Sequence, residues 1–411
     1  MVSFNKWVHP NSSKADSTSP AKASPIHGSH YLITEVLKEK MGFDGVVISD
    51  WNGHEAIKGC SVKSCAAVIN AGIDIVMVTA NKDWKAFREN LIKQVKTGEI
   101  SMSRIDDAVS RVLRMKLRAG MWSKPRPSQR ALAGKQSVIG AAAHRSIARE
   151  AVRKSLVLLK NNGSVLPLAQ DKKLLLAGSA LDDIGKQTGG WSMTWQGTKN
   201  TQADFPGSKT LKQAVTNLLG QSNIVTDSQN LNSVDTAVVV IGERPYTEFF
   251  GDIKGKKTLQ LSTLSDTQAK DLALIRSLKQ KGLKVVIVLY SGRPLYINDY
   301  LNAADAVIAA WLPGTEADGI SDVMFKDVNG KVRYDFSGRL AYSWPGQPCS
   351  TTINRVPKHI ESFKLPTFEQ ALTGNNKPLF EYGYGLSYAD QLPKDIPTLA
   401  VTSMPQGCGK P

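Results

Sequence analysis

Apolar residues recur along the chain in short continuous runs, separated by segments in which they return every three or four positions. GVVIS (45–49) and DIVMV (74–78) are of the first kind and read as parallel strands buried on both faces. HYLITEVLKEKM (30–41) sets Leu32, Ile33, Val36, Leu37 and Met41 at helical spacing. CAAVINAG (65–72) predicts a helix of small residues. DWKAFRENLIKQVKTG (83–98) predicts an amphipathic helix ending at Gly98, and SRIDDAVSRVLRMKLRAG (103–120) a further one. With MVSF (1–4) as a short strand, residues 1–122 read as three β/α units. A parallel strand at position 1 would need earlier strands beside it, so this reading predicts an incomplete first domain.

SKPRPSQRALAGKQS (123–137) is rich in Pro, Ser and basic residues and reads as a linker. HRSIAREAVRKSLVLLKNNG (144–163) keeps helical periodicity until Asn162 and Gly163. A second alternation follows. KLLLAGS (173–179), DTAVVVIGE (235–243), KVVIVLYSG (284–292) and DAVIAAWLPG (305–314) are strands, with helices such as TQAKDLALIRSLKQKG (267–282) between them. The pattern predicts an open sheet covered by helices on both faces, with functional loops at the carboxyl ends of its strands. The domain reading is 1–122, a linker and connecting helix over 123–155, 156–390, and a tail over 391–411.

Composition narrows the class. At 411 residues and 41% hydrophobic content the chain can bury more than one core. No stretch reaches the ~20 apolar residues of a membrane span, and the first residues show neither the basic nor the apolar region of a signal peptide. Lys and Arg exceed Asp and Glu by 52 − 36 = 16. These charges are scattered, and the densest run, KGKK (254–257), lacks interleaved aromatics, so nucleic acid is not an expected partner. Cys60 and Cys65 in GCSVKSC do not have the spacing of a zinc site. A small-loop disulfide is favoured there over metal, with buried free thiols as the alternative. No metal and no cofactor is expected.

The chemistry concentrates at strand ends. Asp50 closes the run in GFDGVVISDWNGH (42–54), where the catalytic groups of a barrel collect, although strand-end Asp residues also cap helices and close turns. The adjoining Trp51 favours a sugar site, in which an aromatic face stacks on the ring while a carboxylate works on the anomeric carbon. A second carboxyl must then protonate the leaving oxygen. GERPYTEFFGD (242–252) offers Glu243, Glu248 and Asp252 beside Tyr246, Phe249 and Phe250, and apolar neighbours suit an acid by raising its pKa. GGWSMTWQG (189–197) places Trp191 and Trp195 in a Gly-flanked loop, as a stacking platform or as core residues. No GxGxxG or GxxxxGK[ST] run is present, which argues against a nucleotide-binding protein.

These blocks, with MSRIDDAVSRVLRMKLRAGMW, REAVRKSLVLLKN, SGRPL, AAWLPGTEADG and LFEYGYGLSY, resemble glycoside hydrolase family 3, and the resemblance covers about residues 1–389. It is similar in particular to the exo-β-glucan glucohydrolase and β-glucosidase branch, because PYTE lies in a full second domain. The resemblance implies an α/β fold: the C-terminal part of a (β/α)8 TIM barrel followed by an α/β sandwich domain, with the active site in the cleft between. It implies Asp50 as nucleophile, Glu248 as acid/base, and Trp51 and Trp195 as the clamp on the sugar next to the scissile bond. Phe4 stands where plant members carry Tyr, and Ala56 where they carry Arg. The implied activity is retaining hydrolysis that releases glucose from β-glucans, cello-oligosaccharides or β-glucosides, in a periplasmic or secreted parent enzyme. Roughly five of the eight barrel strands have no counterpart, together with an upstream Lys-His pair and an Asp that grip sugar hydroxyls. The alternative is therefore an inactive remnant with at most carbohydrate binding.

Overall fold

The computed structural model describes residues 1–7, 24–228, 230–253, 255–349, 377–390, 395–402 and 408. Residues 1–135 and 136–411 form two compact units.

In the first unit, strand β1 (Lys6–Trp7) pairs antiparallel with β2 (Ser24–Pro25). MVSF is not a strand. Its backbone meets the 45–49 segment through the Val2 N–H, which donates to Ile48 O at 2.9 Å. Tyr31–Lys40 winds as a π-helix that closes with the Met41 N–H on Val36 O. Helices α1 (Ala66–Asn70), α2 (Asn81–Lys96) and α3 (Met102–Arg118) follow where the apolar spacing predicts them. The α3 start is fixed by Ser101, whose hydroxyl accepts from the Arg104 N–H.

The runs 45–49 and 74–78 lie parallel, joined by a single bridge between Ile48 and Ile75. They are not buried on both faces. Val47 and Ser49 are buried, while Val46, Ile48 and residues 74–78 are half-exposed. Backbone hydrogen bonds join the pair, from the Asp74 and Ile75 N–H groups to Val47 O and from the Ser49 N–H to Ile75 O, and a charged cluster reinforces it. Asp74 accepts from Lys38 Nζ at 2.7 Å and from the Val47 N–H at 2.8 Å, and pairs with Arg104. Asp107 joins the cluster through Arg104 and Arg111, and Arg111 also donates to the carbonyls of Phe43 and Gly45. The π-helix and α3 are thus bound to the segment that ends at Asp50.

The second unit begins with α4 (Ala142–Ser155) and β3 (Val157–Asn161). The helix predicted to run to 163 stops at Ser155. SLVLL reads as a helix by periodicity, but Leu156, Val157, Leu158 and Leu159 are all buried and alternate between the two faces of a sheet. The remaining elements are β4 (Lys173–Ala177), α5 (Ile184–Thr188), α6 (Leu211–Leu219), β5 (Ile224–Val225), β6 (Val234–Gly242), α7 (Gln268–Gln280), β7 (Lys284–Tyr290), α8 (Asn298–Ala303), β8 (Ala306–Trp311) and α9 (Asp318–Met324).

The sheet order is β3-β8-β7-β6-β4-β5, parallel except for β3, which runs antiparallel to β8. Successive residues of the central strands feed opposite cores. Val238 and Val240 of β6, with Val286 and Val288 of β7, face α4, α6 and α9. Val239, Ile241, Val285, Ile287 and Leu289 face α7 and α8. This is the predicted α/β architecture, with helices on both faces. The order reverses between β4 and β6, so the carboxyl ends of these strands open a crevice of the kind that receives ligands. Two ion-paired arginines fasten α4 to α9. Arg149 grips both oxygens of Asp322, and Arg153 donates to one of them at 2.9 Å.

Cys60 and Cys65 are disulfide-bonded, in line with the small-loop reading. Cys349 is bonded to Cys408, a pairing that sequence spacing does not indicate. Among the described residues no helix is long and apolar enough to cross a membrane, and no cluster of His, Cys, Asp and Glu could hold a metal.

Candidate active site

Asp50 is half-buried at the end of the 45–49 segment. Backbone and side chains together fasten this turn to the neighbouring segment: the Ser49 N–H donates to Ile75 O and the Asn52 N–H to Met77 O, both at 2.9 Å. Ser49 Oγ accepts from the Met77 N–H, and Asn52 exchanges hydrogen bonds with Thr79 through both ends of its amide. Asn52 adopts φ +53°, a left-handed conformation that Asn tolerates better than most residues. The carboxylate is also oriented locally, since the Trp51 N–H donates to Asp50 Oδ1 at 2.7 Å. Trp51 itself is 64% exposed.

The sequence reading misses His27. It is fully buried, and its Nε2 accepts the backbone N–H of Asp50 at 3.2 Å. That contact requires the neutral imidazole with its proton on Nδ1. Burial pushes the His27 pKa below its ordinary value, although the Asp50 carboxylate opposes the shift. Phe4, exposed on its outer side, meets the His27 ring edge-on at 5.7 Å. Gly53 passes so close that a Cβ there would lie 2.2 Å from His27 Nε2. Phe4 and Asp50 therefore both meet one buried histidine, and the Trp51 N–H bonds to the same Asp50.

In the second unit, the strand ends at the crevice carry the other predicted residues. Trp195 Nε1 donates to Glu248 Oε1 at 3.3 Å. Around this pair stand Trp191, Phe249 and Phe250, with ring centroids 6.5, 6.0 and 5.8 Å from Trp195. Trp191 and Trp195 are both surface residues, so the core alternative for them does not hold. Gln196 locks the two loops together, accepting the Thr247 N–H at 2.9 Å and donating to Thr247 Oγ1 at 2.7 Å. Glu248 is exposed and sits at φ +51°, a strained conformation for a non-glycine residue. A cavity of 280 Å³ lies against it, lined by Trp191, Glu243, Tyr246, Thr247, Ser291 and Leu312 among others.

The desolvated acid of this loop is Glu243, not Glu248. Glu243 is 3% exposed, and burial pushes its carboxyl up against the opposing pull of Arg293. Tyr246 OH and the Gly292 N–H both donate to Glu243 Oε2, at 3.2 and 3.3 Å. Asp252, the third acid of the loop, is half-buried at its far end.

The model for the glycosyl hydrolase family 3 N terminal domain matches residues 7–115, and that for the family 3 C-terminal domain matches residues 156–388. The chain belongs to glycosyl hydrolase family 3. It is 30% identical to a lysosomal beta glucosidase of Dictyostelium discoideum, over 89% of this chain and 44% of that protein. It is 28% identical to a periplasmic beta-glucosidase of Salmonella typhimurium, over 98% of this chain and 56% of that protein. Among solved structures, an exo-1,3/1,4-beta-glucanase from a Pseudoalteromonas species, in its Q683A form, is 42% identical with a TM-score of 0.81, covering 93% of this chain and 58% of that one. The chain spans about half the length of the curated relatives it matches. These matches support the β-glucosidase branch of the family.

Proposed function

We propose that the chain works as a retaining glycoside hydrolase that releases glucose from the non-reducing end of β-glucans, cello-oligosaccharides or β-glucosides. The observation that carries this reading is the hydrogen bond between Trp195 and Glu248, set among exposed aromatics in a family 3 chain. An indole that both stacks on a sugar and holds a carboxyl beside it joins substrate binding to proton transfer. Asp50 attacks the anomeric carbon, and the bond to the leaving oxygen breaks as Glu248 donates its proton to that oxygen. Glu248 then takes a proton from water, whose oxygen displaces Asp50 and regenerates both carboxyl groups. Trp51 and Trp195 hold the sugar next to the scissile bond, and Phe4 contributes an apolar edge beside Asp50. The two disulfides suit an oxidising compartment, which supports a periplasmic or secreted setting.

The test is a leaving-group series of aryl β-glucosides. Glu248→Ala should slow substrates with poor leaving groups by about 10² or more and activated ones far less, whereas Asp50→Asn should abolish turnover of all. A uniform loss across the series in Glu248→Ala would remove the acid role.

A further inference from the structure

The loop from Glu243 to Gly251 is closed on itself from beneath. Arg293, from the segment after β7, points its Nη2 at Glu243 Oε1 at 3.5 Å and donates through Nη1 to the carbonyl of Gly251. One guanidinium thus bridges the first and last residues of the loop. Between them lies Tyr246, whose ring sits 4.9 Å from the Arg293 guanidinium and whose hydroxyl donates to Glu243. The ring packs so tightly on Gly251 that a Cβ there would come within 2.5 Å of it. Glu248 rides at the apex of this closed loop, with strained backbone and an exposed carboxyl.

We propose that Glu243 and Arg293 are positioning residues, which hold the loop in the one conformation that sets the Glu248 carboxyl against the Trp195 indole. The proposal rests on the reading of Glu248 as acid/base, because that role demands a fixed carboxyl. Glu243 does not itself act on substrate: it is buried, and both its oxygens are committed to Arg293, Tyr246 and Gly292. Its carboxylate and the guanidinium form a charge-assisted pair that neutral residues of the same shape would not replace. A strained apex persists only while its surroundings over-determine it, and this pair supplies the constraint from below.

The experiment uses the 411-residue chain labelled with ¹⁵N at its eight tryptophan side chains, with the Trp195 indole signal assigned by its loss in Trp195→Phe. Glu243→Gln and Arg293→Lys are compared with the parent chain. In both, the Trp195 indole proton should move toward the position of an unbonded indole while the other tryptophan signals stay. Hydrogen exchange of residues 244–251 should quicken about tenfold, with β6 and β7 unchanged. The two substitutions combined should add little to either alone, because they break one network. An unmoved Trp195 signal in both variants, or equal acceleration in β6 and β7, overturns the proposal. Arg293→Lys keeps the charge and covers the case in which Glu243→Gln does not fold. None of these readouts depends on turnover, so a failed acid role for Glu248, seen in the leaving-group series, stays distinguishable from a failed positioning role.

Discussion

Trp195 donates its indole N–H to Glu248 across 53 positions of sequence, from the loop after α5 to the loop after β6. Gln196 and Thr247 reinforce the same junction by exchanging two hydrogen bonds. Under the proposed function, substrate stacking and proton transfer share this one piece of structure.

Trp195→Phe separates the two. The ring face is retained and the N–H is lost, so sugar stacking persists while the carboxyl is released. A hydrogen bond to a charged group contributes about 1.5–3 kcal/mol. We expect kcat/KM for poor leaving groups to fall about tenfold or more, with a smaller effect on activated aryl glucosides. Steady-state kinetics on the series check this.

His27 ties the pH response of the first unit to the backbone of Asp50. Its folded pKa lies below the unfolded value of about 6.5. The stability it contributes is therefore present above about pH 6.5 and is lost as the pH falls through the folded pKa, where the unfolded chain binds a proton that the folded chain resists. Protonation would also turn Nε2 from an acceptor into a donor facing the Asp50 N–H. Denaturant titrations across this range should show a slope that His27→Gln removes.

Gly53 makes the same point sterically. A methyl group there would overlap His27 Nε2, so Gly53→Ala should displace the ring and with it the Asp50 turn. We expect a loss of first-unit stability of about 1–3 kcal/mol, read by denaturant melts, without change in the second unit.

Asp322 anchors α4 to α9. Burial opposes its ionisation, but hydrogen bonds from Arg149 and Arg153 hold its carboxyl below the usual carboxylate range. Its stabilisation is thus fully present above about pH 4 and is lost as the pH falls through the folded pKa. Asp322→Asn should destabilise the second unit by about 2–3 kcal/mol at neutral pH, because it leaves two arginines facing a neutral group. That difference should shrink below pH 4 in acid titrations followed by circular dichroism.

The second unit is largely legible in its sequence. Its central strands are apolar throughout their buried stretches, 237–241 and 285–289, because helices cover both faces. β3 is the exception, since SLVLL satisfies both periods and only burial on two faces decides between them. In the first unit the helices are legible. The strands are not, because Val47 and Ser49 are buried while their neighbours are half-exposed, and the two segments share only an isolated bridge, which contacts of the Asp74 and Asn52 side chains reinforce. The site shows the same division. Asp50, Trp51, Trp195 and Glu248 announce themselves as acids and aromatics at strand ends. His27 and Arg293 work through contacts with residues 23 and 50 positions away, a distance at which local pattern gives no signal.

The most direct test of the central claim is covalent trapping. The 411-residue chain is incubated with a 2-deoxy-2-fluoro-β-glucoside bearing an activated leaving group, digested with pepsin and mapped by mass spectrometry. Fluorine at C2 slows hydrolysis of the glycosyl-enzyme more than an activated leaving group slows its formation, so the intermediate accumulates. The account predicts a fluoroglucosyl group on Asp50, in a peptide from the 42–54 segment. A label on any other residue would contradict it.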